Sequence, residues 1–263
     1  MRVRTFKTHA ITPADTDLLA ILDRYVPDVP AVEEGTVLAI TSKIVAICQG
    51  RVVKLEEVEQ AEGRSHADVK GELIRQEADY YLPPGESKYR VWLTIKEGRL
   101  IPSAGIDESN GAGYAILWPA DAQAVANRVR AYLAARFGRR RVGVLITDST
   151  TAPLRLGVTG IGIAHSGFQA INDLVGTPDI FGRPLQVTRV NVRDALAAAA
   201  VLVMGEGREQ TPLALLEELP FVAFQDRDPT PDELAALQIA PDDDLYAPLL
   251  KSVAWQRGGQ GAS

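Results

Sequence analysis

The sequence predicts a mixed α/β (α+β) fold, and three observations point to it. Short apolar, β-branched runs bounded by glycine or charge recur along the chain, as buried strands require. Between them lie segments whose apolar residues return every three to four positions, as amphipathic helices require. With 46% hydrophobic and 24% charged residues, a chain of 263 has a globular composition and can bury a full core, as one large domain or two small ones.

In chain order, "GTVLAIT" (35–41) reads as the first buried strand, ending in a hydroxyl residue. The apolar run "AITSKIVAICQGR" (39–51) reads as strand as well. It contains Cys48, the only cysteine, which can form no intrachain disulfide and is expected to be a buried apolar side chain. The stretch "IPSAGIDESNGAG" (101–113) follows, a glycine-rich loop with Asp107, Glu108, Ser109 and Asn110 in a row. "DAQAVANRVRAYLAARFG" places Val125, Val129, Leu133 and Phe137 at four-residue spacing before Gly138, the pattern of a helix with a glycine past its C-terminus. "RVGVLITD" (141–148) is a second buried strand, expected to end at Asp148. "LGVTGIGIAHSGFQA" (156–170) holds too many glycines for a helix. "NVRDALAAAAVLVMG" (191–205) is a second helix, with an alanine-rich face that lets another backbone come close, within the fold or across a subunit interface. From Asp226 the chain is rich in Pro and Asp, with short helices expected near Pro231 and Asp243 and a frayed end, "QRGGQGAS".

Several functional classes fall away. A net charge of -6 argues against a general nucleic-acid footprint, while leaving room for a local cationic pocket. The N-terminus has no apolar signal core and no segment approaches the ~18 apolar residues of a membrane span, so no membrane association is expected and a cytoplasmic location is. No G-x-x-x-x-G-K-[ST] occurs, and "GIGIAHSG" has the wrong spacing for a dinucleotide fingerprint. His9, His66 and His165 are far apart and, with one cysteine, offer no zinc spacing; His165 reads as a packed side chain. No G-x-S-x-G elbow supports a serine nucleophile.

What remains is oxygen chemistry. Asp107 follows an apolar "GI", Asp148 ends a strand, and Glu206 stands just past a helix. Carboxylates at the ends of regular elements are a way to hold a hard cation, since Mg²⁺ or Mn²⁺ takes carboxylate oxygens, water and substrate phosphates. Each is open, taken singly, to a turn or capping role.

"SAGIDESN" (103–110), "ITDS" (146–149), "GRPLQVT" (182–188) and "AAAAVLVMGEG" (197–207) occur in the order found in the coenzyme F420-0:L-glutamate ligase family. With the opening "ITPADTDLLAIL" (11–22) and "AITSKIVAICQGR", the chain resembles that family over residues 1–225, with 226–263 as a helical and irregular tail. The resemblance implies an F420-ligase-like fold of mixed sheets and flanking helices in an intertwined homodimer. It also implies an enzyme that attaches L-glutamate by γ-linked amide bonds to an anionic deazaflavin acceptor, using GTP (or ATP) and Mg²⁺ or Mn²⁺. Carried over, it assigns Asp107, Asp148, Ser149 and Glu206 to the metal. Ile11, Thr12, Ser42, Lys43, Asn110 and Glu206 go to the nucleotide, and Asp107, Asp148 and Arg155 to catalysis. Lys43, Arg155, Arg183 and Arg189 are the candidate cations for phosphate.

Two departures accompany the match. Where the family carries a second lysine, four residues after Lys43, this chain has Ile47. Where the family reads T-D-[ST]-x-G-R, this chain reads "TDSTTAP", with Thr151, Ala152 and Pro153. The carboxylates are kept and the cations around them are altered, which implies retained metal–phosphate chemistry with a different acceptor or nucleotide, a pterin or folate-type acceptor being the alternative within the class. A metal-dependent phosphohydrolase and a non-catalytic phospholigand binder remain open as other classes.

Overall fold

In the computed structural model, which describes residues 1–26, 32–85 and 88–259, the chain opens with strand β1 (Arg2–Phe6) and helix α1 (Leu18–Tyr25), whose N-terminus is capped by Asp17. Strand β2 (Thr36–Thr41) runs directly into helix α2 (Ser42–Cys48). An insertion follows: β3 (Val52–Lys54), α3 (Leu55–Glu62), α4 (His66–Glu77), β4 (Tyr80–Leu82), β5 (Leu93–Lys96), β6 (Arg99–Pro102), a 3₁₀ turn (Ser103–Gly105) and β7 (Tyr114–Ile116). The chain then returns through α5 (Ala122–Phe137), β8 (Val142–Thr151), β9 (Val158–Ser166), β10 (Ile171–Asp173), β11 (Arg189–Asn191), α6 (Val192–Met204) and β12 (Leu213–Glu217). It ends with α7 (Pro231–Ala235), α8 (Ala247–Leu250) and β13 (Gln256–Arg257).

The main sheet has the order β1-β12-β2-β8-β9. It is mixed: β2 and β8 are parallel and the other neighbours antiparallel. β2 is buried through Ile40, the pattern of a central strand covered on both faces. One face packs Leu38, Ile40, Val144 and Ile146 against α1, α2 and α5, where Val125, Val129, Leu133 and Phe137 form the buried stripe expected of that helix. The opposite face packs Val37, Ala39, Leu145 and Leu216 against α6. The pair β3-β7 and a second sheet, β4-β5-β6 with β13 of the tail added at its β4 edge, build the insertion. This is the mixed α/β architecture that the sequence predicts, and no helix among the described residues is long and apolar enough to cross a membrane.

Four local expectations are corrected. Residues 42–48 are helical rather than strand: Ile44 and Val45 join the core under the main sheet while Ala46 and Ile47 join Ile116 on the other side, so a helix buried all round has no polar face to betray its period. β8 does not end at Asp148 but continues to Thr151, because Ser149–Thr151 pair with Thr159 and its neighbours in a hairpin. The end of the chain is ordered further than expected: Gln256 and Arg257 pair with Tyr81 and Tyr80, and only 260–263 of "QRGGQGAS" lie outside the described residues. Of the two tail helices, the first begins at Pro231 and the second at Ala247 rather than near Asp243.

Candidate active site

Thr41 and Thr147 are the last register partners of the parallel pairing between β2 and β8. Such a place, where neighbouring connections part, is where open α/β sheets commonly bind ligands. A cleft of about 450 Å³ opens there. Five separate segments line it: residues 8–11 after β1, 41–47 at the start of α2, the 107–112 loop, 147–149 within β8, and 201–212 from the end of α6 to β12.

Asp107 sits at the mouth of its loop, locked by paired backbone bonds with Ile116 (N to O 3.0 Å, and 2.8 Å in return). Its carboxylate meets the Lys43 ammonium at 2.7 Å. Ser109 donates to it through its backbone N–H at 2.7 Å and its hydroxyl at 2.9 Å. Burial pushes this carboxyl up, but Lys43 and the two Ser109 donors outweigh it and hold Asp107 below the usual range. Glu108 turns away to Lys70 and His66, at 2.5 and 3.0 Å. Asn110 takes the left-handed backbone (φ 55°) that asparagine tolerates, and its amide donates to the Gly207 carbonyl at 2.9 Å, closing the loop onto the end of α6. Gly111 is required by the tight turn, since a Cβ there would lie 2.3 Å from the Tyr114 carbonyl oxygen.

Asp148 stands opposite. One carboxylate oxygen accepts from the Ser149 backbone N–H at 2.7 Å and the other from the Trp118 indole. The nearby Ser42 hydroxyl also favours the ionised carboxylate. Burial nevertheless pushes Asp148 up to about 6, with Asp107 adding to the shift. Glu206 is likewise raised, by burial first and by the Asp107 and Glu209 charges, against the opposing Ser149 hydroxyl (3.5 Å) and Lys43. Gly205 and Gly207 wrap Glu209, which accepts from the Gly207 N–H at 2.8 Å.

The cleft thus gathers Ile11, Ser42, Lys43, Asp107, Asn110, Asp148, Ser149 and Glu206. Thr12 is outside its lining: its N–H and hydroxyl serve the Asp15 carboxylate in an exposed turn. Arg155 lies in the exposed β8–β9 turn, and Arg183 and Arg189 are exposed elsewhere, Arg189 on Asp173 at 3.1 Å. The cation that the sequence reading passed over is Arg208, which lines the cleft with no ion-pair partner among the described residues. The polar run "GEGREQ" directly after an apolar helix was the available signal. Trp118 left none, because its partner is 30 residues further on. His165 is packed against Phe168 and held neutral, burial lowering it to about 4 with Arg193 adding to the effect. Cys48 is half-buried and its thiol is raised by burial to about 11, so it is no nucleophile.

Among the described residues no three His, Cys, Asp or Glu side chains converge into a ready-made metal cage. The donor chemistry nonetheless suits a hard cation. The Asp107 charge is near enough to raise the proton affinity of both Asp148 and Glu206, and the Lys43 ammonium beside them is engaged by Asp107. An ion that draws the rest of its shell from water and phosphate oxygens needs only one or two such carboxylates.

A cleft of carboxylates, hydroxyls and cations where the parallel pairing ends has the chemistry of an enzyme site. The F420-0:Gamma-glutamyl ligase family profile matches residues 5–218. The coenzyme F420:L-glutamate ligase of Methanopyrus kandleri is 36% identical over 71% of this chain and 76% of its own. The ligases of that name from Archaeoglobus fulgidus and Methanocaldococcus jannaschii are 34% and 31% identical, over 77% and 82% of their lengths. The chain belongs to the F420-0:gamma-glutamyl ligase family, and it is an amide-forming ligase.

Proposed function

We propose that this enzyme adds L-glutamate to a carboxylate of an anionic acceptor, with GTP (or ATP) as cosubstrate and Mg²⁺ or Mn²⁺ as the metal, in the cytoplasm. The observation that carries the reading is the convergence of Lys43, Arg208, Asp107, Asp148, Ser149 and Glu206 on one cleft from separate segments. An acceptor carboxylate oxygen attacks the γ-phosphorus, the bond to the bridging oxygen breaks, and the nucleoside diphosphate leaves. The glutamate amine then attacks the acyl carbon, phosphate departs with the bonding pair, and the amine gives up a proton. Neither step needs a protein nucleophile; both need anionic oxygens held close and neutralised. Lys43 and Arg208 supply positive charge to phosphate, and Asn110 and Ser42 supply polar contacts to the nucleotide. Asp107, Asp148, Ser149 and Glu206 would hold the metal, which when bound neutralises phosphate charge.

The relatives are named for coenzyme F420, and a deazaflavin of that type is the first acceptor to test. A pterin or folate-type acceptor is the second, favoured by Thr151-Ala152-Pro153 in place of the family's Gly-Arg. The test is incubation with each nucleotide, each metal, L-glutamate and both acceptors, read by mass for added glutamyl units. Phosphate release that ignores glutamate and acceptor would make the protein a phosphohydrolase, and tight nucleotide binding without product would make it a binder. We also propose a homodimer. Leu154 and Leu156 on the β8–β9 turn, Ile180 and Phe181 beyond β10, and Leu202 on α6 are exposed apolar side chains that a second copy would cover, and light scattering reads the mass directly.

A further inference from the structure

We infer that Trp118 is a positioning residue for Asp148: its indole N–H fixes the direction in which that carboxylate enters the cleft. The inference rests on the reading above that Asp148 takes up a divalent cation. Trp118 is only 2% exposed and belongs to the core beneath the main sheet. A buried indole N–H must find an acceptor, and main-chain carbonyls are the common supply. Here it donates instead to Oδ2 of Asp148, on a strand 30 residues later, while Oδ1 accepts from the Ser149 N–H at 2.7 Å. With a donor on each oxygen the carboxylate cannot rotate without breaking a bond, and the lone pairs not taken by these two donors or by the nearby Ser42 hydroxyl are left for the cleft.

The ring itself is held on two sides. Gly105 has φ +74°, and a Cβ there would lie 2.1 Å from the indole nitrogen and 2.4 Å from its neighbouring ring carbon, so only glycine leaves space for this edge of the ring. The Arg99 guanidinium stands 5.9 Å from the ring centroid, with one of its own nitrogens donating to the Ile163 carbonyl at 2.8 Å. Arg99 and Gly105 lie on β6 and on the 3₁₀ turn after it, in the insertion, whereas Asp148 lies on the main sheet. Trp118 therefore sets the carboxylate from one half of the molecule against the half that carries Asp107. Partners of this kind, which touch a metal ligand rather than the metal, commonly govern ligand orientation.

The experiment compares Mn²⁺ binding, followed by electron paramagnetic resonance, in the wild type, Trp118→Phe and Asp148→Asn. Phenylalanine keeps the aromatic ring and removes only the donor and one ring's volume. Affinity should fall at least about tenfold in a folded Trp118→Phe protein, the range typical of such outer partners. Wild-type affinity in Trp118→Phe alongside lost binding in Asp148→Asn would leave the metal reading standing and overturn the positioning role. Unchanged affinity in Asp148→Asn would overturn the metal reading and this inference with it. A second measurement needs no change at position 118. Among the indole N–H resonances of the three tryptophans, assigned by Trp92→Phe and Trp255→Phe, that of Trp118 should move on Mg²⁺ addition while the other two stay. A Trp118 resonance that stays in place as Mg²⁺ binds would equally sink the proposal.

Discussion

Asp107 and Asp148 face the same cleft and are driven in opposite directions, one held down by an ammonium and two donors, the other pushed up by enclosure with no cation beside it. The difference lies in the neighbours, not the residue type, which is why neither state was legible in the sequence. Ile47 is the opposite case, a residue whose meaning the sequence posed and the structure resolves. It is 5% exposed, packed with Ala46, Ile116, Ile11 and Val52 while touching the wall of the cleft. Restoring the family's lysine by Ile47→Lys therefore places an ammonium in an apolar cluster. The expected outcome is a loss of several kcal/mol of stability, seen as a sharply lower Tm, with no gain in GTP affinity. A variant that keeps its Tm and binds GTP more tightly would show that the lysine can reach phosphate from this position.

At the scale of elements, the sequence spoke clearly where periodicity and punctuation agreed and was silent where they did not. α5 announced itself by its four-residue spacing and Gly138, whose φ of 63° closes the helix. α2 did not, because Ile44 to Cys48 are apolar on every face. The glycines of β9 were readable only as an objection to a helix. Their use appears in the packing of α6 across the strand: a Cβ on Gly160 would lie 2.4 Å from the Ala197 carbonyl oxygen, and one on Gly162 would lie 2.5 Å from Arg193. The alanine-rich face of α6 is thus spent inside the fold, against β9. Gly160→Ala must drive backbone from backbone, with no flexible side chain to yield, and should cost about 1–3 kcal/mol by thermal or denaturant unfolding. Gly85→Ala, with nothing within 4 Å, is the control and should be close to neutral. Equal stability of the two variants would mean that helix and strand can part at no cost.

For the whole molecule, the question is what keeps the insertion in register with the main sheet, since Asp107 belongs to one and Asp148 to the other. One junction is Glu77, which accepts both 2.6 Å bonds from Arg51 and a 2.5 Å bond from Lys96. Another is the C-terminal tail, which lies beyond the family match. Its near end is fixed to the main body, where Asp228 accepts from Arg130 and from the Ser166 hydroxyl, each at 2.8 Å. Its far end pairs β13 with β4, and Gly258 and Gly259 donate to Asp79 and Arg75 at 2.9 Å. The tail is therefore a tie between the two sheets rather than a frayed appendage. A chain ended after Asp228 keeps the first attachment and loses the second, leaving β4 as an open edge. Amide hydrogen exchange should then quicken across residues 75–82 while β2 and β8 keep their protection, because local opening follows the loss of local hydrogen bonds. Unaltered exchange in 75–82 would show that the insertion holds its own edge and that the tail ties nothing.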